Sequence, residues 1–290
     1  MEKQLEYYKQ QGFGKFELLE IKFGLVSGID VTQYTDKEFT APQMKEIRMG
    51  LESNLDVTKY ADARFDWCQM DEIRKGMQGG LDVDLYASPI YDYIEMREIR
   101  LALEEHIDIA EYIDRVKGGL YIREIRKALK EGISLDIFLD DGYDYIQLRE
   151  LRKGIKHCVD ISWYAKTDYS GVQMREIRLG LEHNVAVSWY AIPTLSAAKM
   201  NEIRTGLEHG VDVSDITRAY MDGSEVKELN VTGNDETVSE YTEEQQEQIR
   251  LGELSGVDVS LYSNPMYTAD EMREIREQME QILATAGIIG

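Results

Sequence analysis

One phrase constrains this chain more than any other, because it returns at a fixed interval. Gln43-Met44-Lys45-Glu46-Ile47-Arg48-Met49-Gly50-Leu51 recurs as Gln69-Met70-Asp71-Glu72-Ile73-Arg74-Lys75-Gly76-Met77 and as Glu95-Met96-Arg97-Glu98-Ile99-Arg100-Leu101-Ala102-Leu103. Counted on its central isoleucine, the beats fall at Ile21, Ile47, Ile73, Ile99, Ile125, Leu151, Ile177 and Ile203, always 26 residues apart. Leu229, Ile249 and Ile275 follow, with one step shortened to 20. A fixed period of roughly 20 to 50 residues marks stacked repeats, in which no unit can bury its apolar face alone. The period therefore predicts an all-α fold, an α-solenoid of about eleven two-helix repeats.

Each unit reads position by position from its central residue. Seven residues before it stand Thr40, Asp66, Asp92, Asp144, Ser170, Ser196, Asp222, Thr242 and Thr268, side chains that cap a helix by accepting an orphan N–H. Three residues later Gln43, Gln69, Glu95, Gln147, Gln173, Glu225, Gln245 and Glu271 complete a capping box. Phe39, Phe65, Tyr91, Tyr143, Tyr169, Leu195, Met221 and Tyr267, one before the cap, can staple onto the apolar residue of the first turn, such as Met44 or Met70. The helix so opened, helix A, carries one apolar stripe and spans roughly 13 residues, about 20 Å. Glycine or alanine sits at +3 of nearly every copy, where it costs about 1 kcal/mol of helix propensity if glycine; the expectation is that a neighbouring helix passes close there. Gly28, Asn54, Gly80, Gly132, Asn184, Gly210 and Gly256 suit a left-handed stop. A phrase such as Leu55-Asp56-Val57-Thr58 follows, whose Ser or Thr is expected to cap a short helix B bearing a tyrosine such as Tyr60 at +13.

The chain divides on this reading into four segments. Residues 1–14, with Tyr8 and Phe13 on helix B and staple positions, form an N-terminal half-repeat. Residues 15–220 are regular repeats, 221–248 an irregular, shortened, acidic repeat, and 249–290 the last repeats with a capping helix. That final helix has Gln278 in place of the small residue, so the array is expected to be complete within the chain. Residues 221–290 hold 16 Asp and Glu against 4 Lys and Arg, −12 of the −22 net charge. A sequence pI near 4.6 argues against nucleic acid or an anionic membrane as a direct partner. The absence of an apolar run of roughly 18 residues, a polar start and two unmatched cysteines, Cys68 and Cys158, point to a reducing cytoplasm.

Charged residues recur as strictly as apolar ones. Glu46/Arg48, Glu72/Arg74, Glu98/Arg100, Glu124/Arg126, Glu176/Arg178, Glu202/Arg204 and Glu274/Arg276 flank the apolar stripe on either side. Two residues apart on a helix they cannot face each other, so the Arg of one unit is expected to meet the Glu of its neighbour in an ion-pair ladder. A catalytic residue is needed once, which makes repetition an argument against catalysis. His157, His183 and His209 are 26 apart. Helices packed about 8–10 Å apart make them a solvated column rather than ligands converging within about 2.1 Å of one zinc. No cofactor or metal is expected. Tyr7, Tyr93, Tyr121 and Tyr145 fall off the apolar positions and are candidate exposed anchors for a partner.

The phrase Gln-Met-Arg-Glu-Ile-Arg-Leu-Gly-Leu-Glu, Gln173 to Glu182, with Val-Asp-Val-Ser-x-Tyr, resembles short helical repeats found in proteins of bacterial phages and mobile elements. The resemblance spans Tyr8 to Leu283 and implies an origin rather than an activity; the irregular unit departs from it. The expected function is a non-enzymatic scaffold that binds another protein. The alternative is an acidic mimic of nucleic acid that inhibits a basic nucleic-acid-binding protein such as a host-defence nuclease. Its contact residues would be Asp235, Glu236, Glu240, Glu243, Glu244 and Glu247, whereas Tyr93 and Tyr145 would serve an ordinary interface. An enzyme or metal-binding protein is the remote third reading.

Overall fold

The computed structural model describes residues 1–214, 217, 241–257, 259, 262–263 and 267–285, and every regular element among them is helical. Two compact units divide between Thr167 and Asp168. In the first, α1 (Glu2–Gln10), α2 (Lys15–Ser27), α3 (Ala41–Glu52), α4 (Trp67–Gln78), α5 (Tyr93–Glu104), α7 (Gly119–Lys130) and α9 (Tyr145–Lys156) pack on one another in chain order. The short helices α6 (Ala110–Ile113) and α8 (Asp136–Leu139) lie in the connections between the last three. In the second unit α10 (Gly171–Glu182) packs on α11 (Ala197–Glu208), and α12 (Glu243–Ser255) on α13 (Ala269–Thr285). Residues 221–240 of the irregular repeat lie outside the described residues, and the expected boundary after residue 248 runs through α12.

The helices begin where their caps dictate. Full capping boxes open α3, α4, α5, α9, α10 and α12, so two orphan donors are satisfied before the first turn closes. Each stops after 12 or 13 residues on a left-handed residue whose successor donates back to the +3 carbonyl, as Leu55 N does to Gly50 O at 2.9 Å. His106 and Cys158 also take this conformation, with φ of 56° each, although neither is a residue the pattern would nominate. Among the described residues the short helix B is a three-residue 3-10 turn in five places, for example Val57–Lys59. Its cap is the aspartate, not the expected Ser or Thr, in four of them: Asp30, Asp56, Asp82 and Asp160 each accept from the N–H two residues on, whereas Ala186 opens the fifth with no side-chain cap. The hydroxyl of Thr32 or Thr58 serves instead to brace that aspartate.

The +3 glycine has a different cause from the one its recurrence suggests. A Cβ at Gly24, Gly50, Gly76, Gly154, Gly180 or Gly252 would overlap the hydroxyl of Tyr34, Tyr60, Tyr86, Tyr164, Tyr190 or Tyr262, which belongs to the short helix of the same unit. Each of these hydroxyls donates to a carbonyl of helix A 14 residues earlier, as Tyr60 does to Glu46 O at 3.2 Å. The glycine opens a notch through which a fully buried ring reaches helix backbone. Where the small residue is alanine the notch is closed, and the partner changes with it. Ala128 is matched by Phe138, which has no hydroxyl, and Ala102 by Tyr112, whose hydroxyl turns to the carboxylates of Glu111 and Asp136. Both of those units carry a four-residue α turn in place of the 3-10 turn.

The apolar stripe is buried as its spacing requires. Ile21, Met44, Ile47, Met70, Ile73, Met96 and Ile99 are inaccessible to solvent and join the tyrosines in one continuous core through Ile125. Tyr8 and Phe13 meet edge to face at 5.7 Å and pack against its start. Near α7 the packing tightens. Gly119 lies so close to the backbone of Ile94 and Glu95 that a side chain there would displace α5.

Candidate functional site: the ladder and the surface it leaves

The charged positions of helix A meet across successive helices. Arg48 Nε reaches Glu20 at 2.9 Å, Arg74 Glu46 at 2.8 Å, Arg100 Glu72 at 2.7 Å, Arg126 Glu98 at 3.0 Å and Arg152 Glu124 at 2.9 Å. In the second unit Arg204 reaches Glu176 at 2.8 Å, and Arg276 reaches Gln248 at 3.3 Å. Every pair links residues 28 apart, so each arginine looks back toward the preceding helix. The side chains of Arg74 and Glu46 are 7% and 5% exposed. Burial pushes the Glu46 carboxyl above its usual range, and Arg74 offsets only part of that. Of the other ladder residues, Arg178 pairs with Glu182 at 2.5 Å, Glu202 with Lys199 at 2.6 Å, and Glu274 is exposed.

Each arginine also takes a second acceptor, which for Arg74 in α4 is Asp71 or Gln78 of its own helix, and elsewhere the chain supplies it in two ways. In α3, α5, α10, α11 and α13 a glutamate one turn on does so, as Glu52 does for Arg48. In α7 and α9 that position is Lys130 or Lys156, and the carboxylate comes from the end of the preceding helix instead: Glu105 holds Arg126 and Lys130, Glu131 holds Arg152 and Lys156. The two lysine contacts belong to a second row of links, 25 residues apart, that sequence spacing did not reveal. Ser27–Glu52, Ser53–Gln78, His183–Glu208 and Ser255–Glu280 complete it at 2.6–3.2 Å. The histidine column is therefore partly bonded rather than merely solvated: His183 Nδ1 meets Glu208, and His209 Nδ1 meets the Thr205 carbonyl at 2.8 Å. Among the described residues no three metal-binding side chains converge.

A third link comes from the capping glutamine. Its oxygen closes its own helix, and its nitrogen donates to a carbonyl 22 residues on: Gln43 to Phe65 at 2.6 Å, Gln69 to Tyr91 at 2.6 Å, Gln173 to Leu195 at 2.6 Å, and Gln245 to Tyr267. Glu95 has no such donor, and there the partner is reversed. Its carboxylate accepts from Gly118 N at 2.8 Å.

The candidate contact residues fare unevenly. Tyr93 and Tyr145 are half-buried rather than exposed; burial pushes the Tyr93 hydroxyl up, and Tyr145 meets Tyr121 edge to face at 6.0 Å. Tyr7 is exposed. Glu244 and Glu247 are exposed on α12 and share an open groove with Asp270 and Arg273. Asp235, Glu236 and Glu240 lie outside the described residues, as does the side chain of Glu243. Ile137, Trp163 and Trp189, which the sequence reading passed over, are exposed at one position of the short helix, 12 residues after the central residue. Among the described residues no helix is long and apolar enough to cross a membrane. Comparisons of the chain with family models, curated proteins and solved structures each find no significant match.

Proposed function

We propose that the chain is an α-solenoid of about eleven 26-residue units and acts as a non-enzymatic scaffold that binds another protein. The observation that carries this reading is a division of roles among repeat positions. The polar side chains that recur are turned inward and bonded to one another, as in the buried Arg74–Glu46 pair. The outward positions change from unit to unit. At the short-helix position they run from Gln33 and Lys59 to Ile137, Trp163 and Trp189, the last three exposed. Exposed tryptophans held on a rigid frame are side chains that anchor protein interfaces. The test uses the parent chain and an Ile137→Ala/Trp163→Ala/Trp189→Ala variant as baits in a bacterial lysate, with melting followed in parallel. A partner held by the parent and lost by an equally stable variant supports the reading. A partner held equally by both removes these three side chains from the interface.

Exposed carboxylates favour the second reading, an acidic mimic of nucleic acid from a mobile element that occupies a basic host-defence protein. Glu244, Glu247 and Asp270 line one groove. Such binding weakens steeply as salt rises, because exposed charges more than about 8 Å apart are screened at physiological ionic strength. Changing Asp235, Glu236 and Glu240, with Glu243, Glu244 and Glu247, to their amides would slow association most, since distributed charge steers encounter. An unchanged association rate at low salt excludes this reading.

A further inference from the structure

We infer that the exposed face of α2 is a self-association surface, whose occupant is α2 of a second copy of this chain. Phe16, Leu19, Phe23 and Val26 are 65%, 43%, 44% and 67% exposed. Their spacing of three, four and three residues places them along one seam of the helix, the pattern with which two helices pair. On the helices that follow, the equivalents of Leu19 and Val26 are interface residues: Arg123 reaches back to Glu98 at 2.9 Å and Lys130 to Glu105 at 2.7 Å. On α2 the same face is hydrocarbon and open, because α1 is only nine residues long and has no buried residue. Arg48 lies over the Phe23 ring at 5.3 Å and holds it in place from the core side.

Charge selects the occupant. The chain carries −22, yet residues 1–27 balance four lysines against four glutamates, so the whole excess lies beyond them. A basic partner would be drawn to the acidic remainder, whereas two copies repel least at this neutral stretch. The four side chains expose on the order of 400 Å², about half of what one partner contributes to an interface of ordinary size. A reversible dimer is the expected strength.

Sedimentation equilibrium of the full chain over a range of concentrations tests this, in low and in high salt. A monomer–dimer equilibrium is expected, tightened by salt as the like charges are screened. Phe16→Glu/Val26→Glu should weaken it at least about 30-fold with unchanged melting, while Ile90→Glu, equally exposed and off the seam, should leave it intact. Leu19→Cys in a Cys68→Ser/Cys158→Ser background should give an oxidised dimer, a readout independent of whether the glutamate variant folds. A chain that stays monomeric in both salts, or a dimer that keeps its affinity in the double variant, overturns the inference.

Discussion

Adding one methyl group at Gly50 tests why the small residue recurs. The new Cβ would overlap the Tyr60 hydroxyl and press on the Val57 side chain. Three contributions compete. Alanine favours the helix by about 1 kcal/mol over glycine. Expelling the hydroxyl loses a hydrogen bond to Glu46 O worth about 1 kcal/mol net. Overpacking and the stranded buried hydroxyl add about 1–3 kcal/mol against the fold. Gly50→Ala should therefore destabilise by about 1–3 kcal/mol, although it improves the local helix. Tyr60→Phe alone should cost about 1 kcal/mol, because the Glu46 carbonyl keeps its place in the helical ladder. The double variant reproduces the Ala128–Phe138 pair already present in the molecule, and it should lie within about 1 kcal/mol of the parent. Denaturant midpoints for the four proteins close the cycle. If Gly50→Ala is neutral, or if Tyr60→Phe does not rescue the stability it loses, the notch is not the reason for glycine.

Three further changes probe the ladder and the helix stops. Arg74→Ala leaves the Glu46 carboxylate buried without its cation and should cost about 3 kcal/mol in a denaturant melt. Cys158 holds a left-handed backbone with φ 56°, so Cys158→Gly should raise stability by about 1 kcal/mol, read as a shift in midpoint. Burial raises the Glu131 carboxyl, but hydrogen bonds from Lys156 and Arg152 outweigh it and hold the group below its unfolded value of 4.5. A depressed carboxyl contributes stability that is present above 4.5 and lost as pH falls through its folded value. Glu131→Gln should therefore flatten the acid limb of the stability–pH curve, and an unaltered limb would show that these hydrogen bonds add nothing.

Local signals were legible in the sequence, and contacts between units were legible only in part. Thr40 with Gln43, or Asp66 with Gln69, announces a helix start within four residues, whatever surrounds it. The Arg–Glu pairing followed because two flanking charges must each find a partner elsewhere. The purpose of Gly50 was hidden, since its cause, Tyr60, lies ten residues on and approaches only after the turn has formed. The tyrosines Tyr93 and Tyr145 misled because their position at the helix start does not tell how far a neighbouring helix covers them. A usable signal lay in how the copies vary together: Ala128 with Phe138, Lys130 with Glu105, Glu95 with Gly118. Each paired departure marks a contact that the regular copies make in another way.

The two-ended capping glutamine has a consequence for how such a chain assembles. Gln43 completes the start of α3 with its oxygen and fixes the Phe65 carbonyl, just ahead of α4, with its nitrogen. The side chain can do both only when it is held in one orientation, so ordering one helix start prepares the next. Nucleating a helix is the costly step and extending order is cheap, and here the nucleus of one unit is partly built by the unit before it. Folding should therefore propagate from neighbour to neighbour, with cooperativity carried by a side-chain amide as well as by the apolar core.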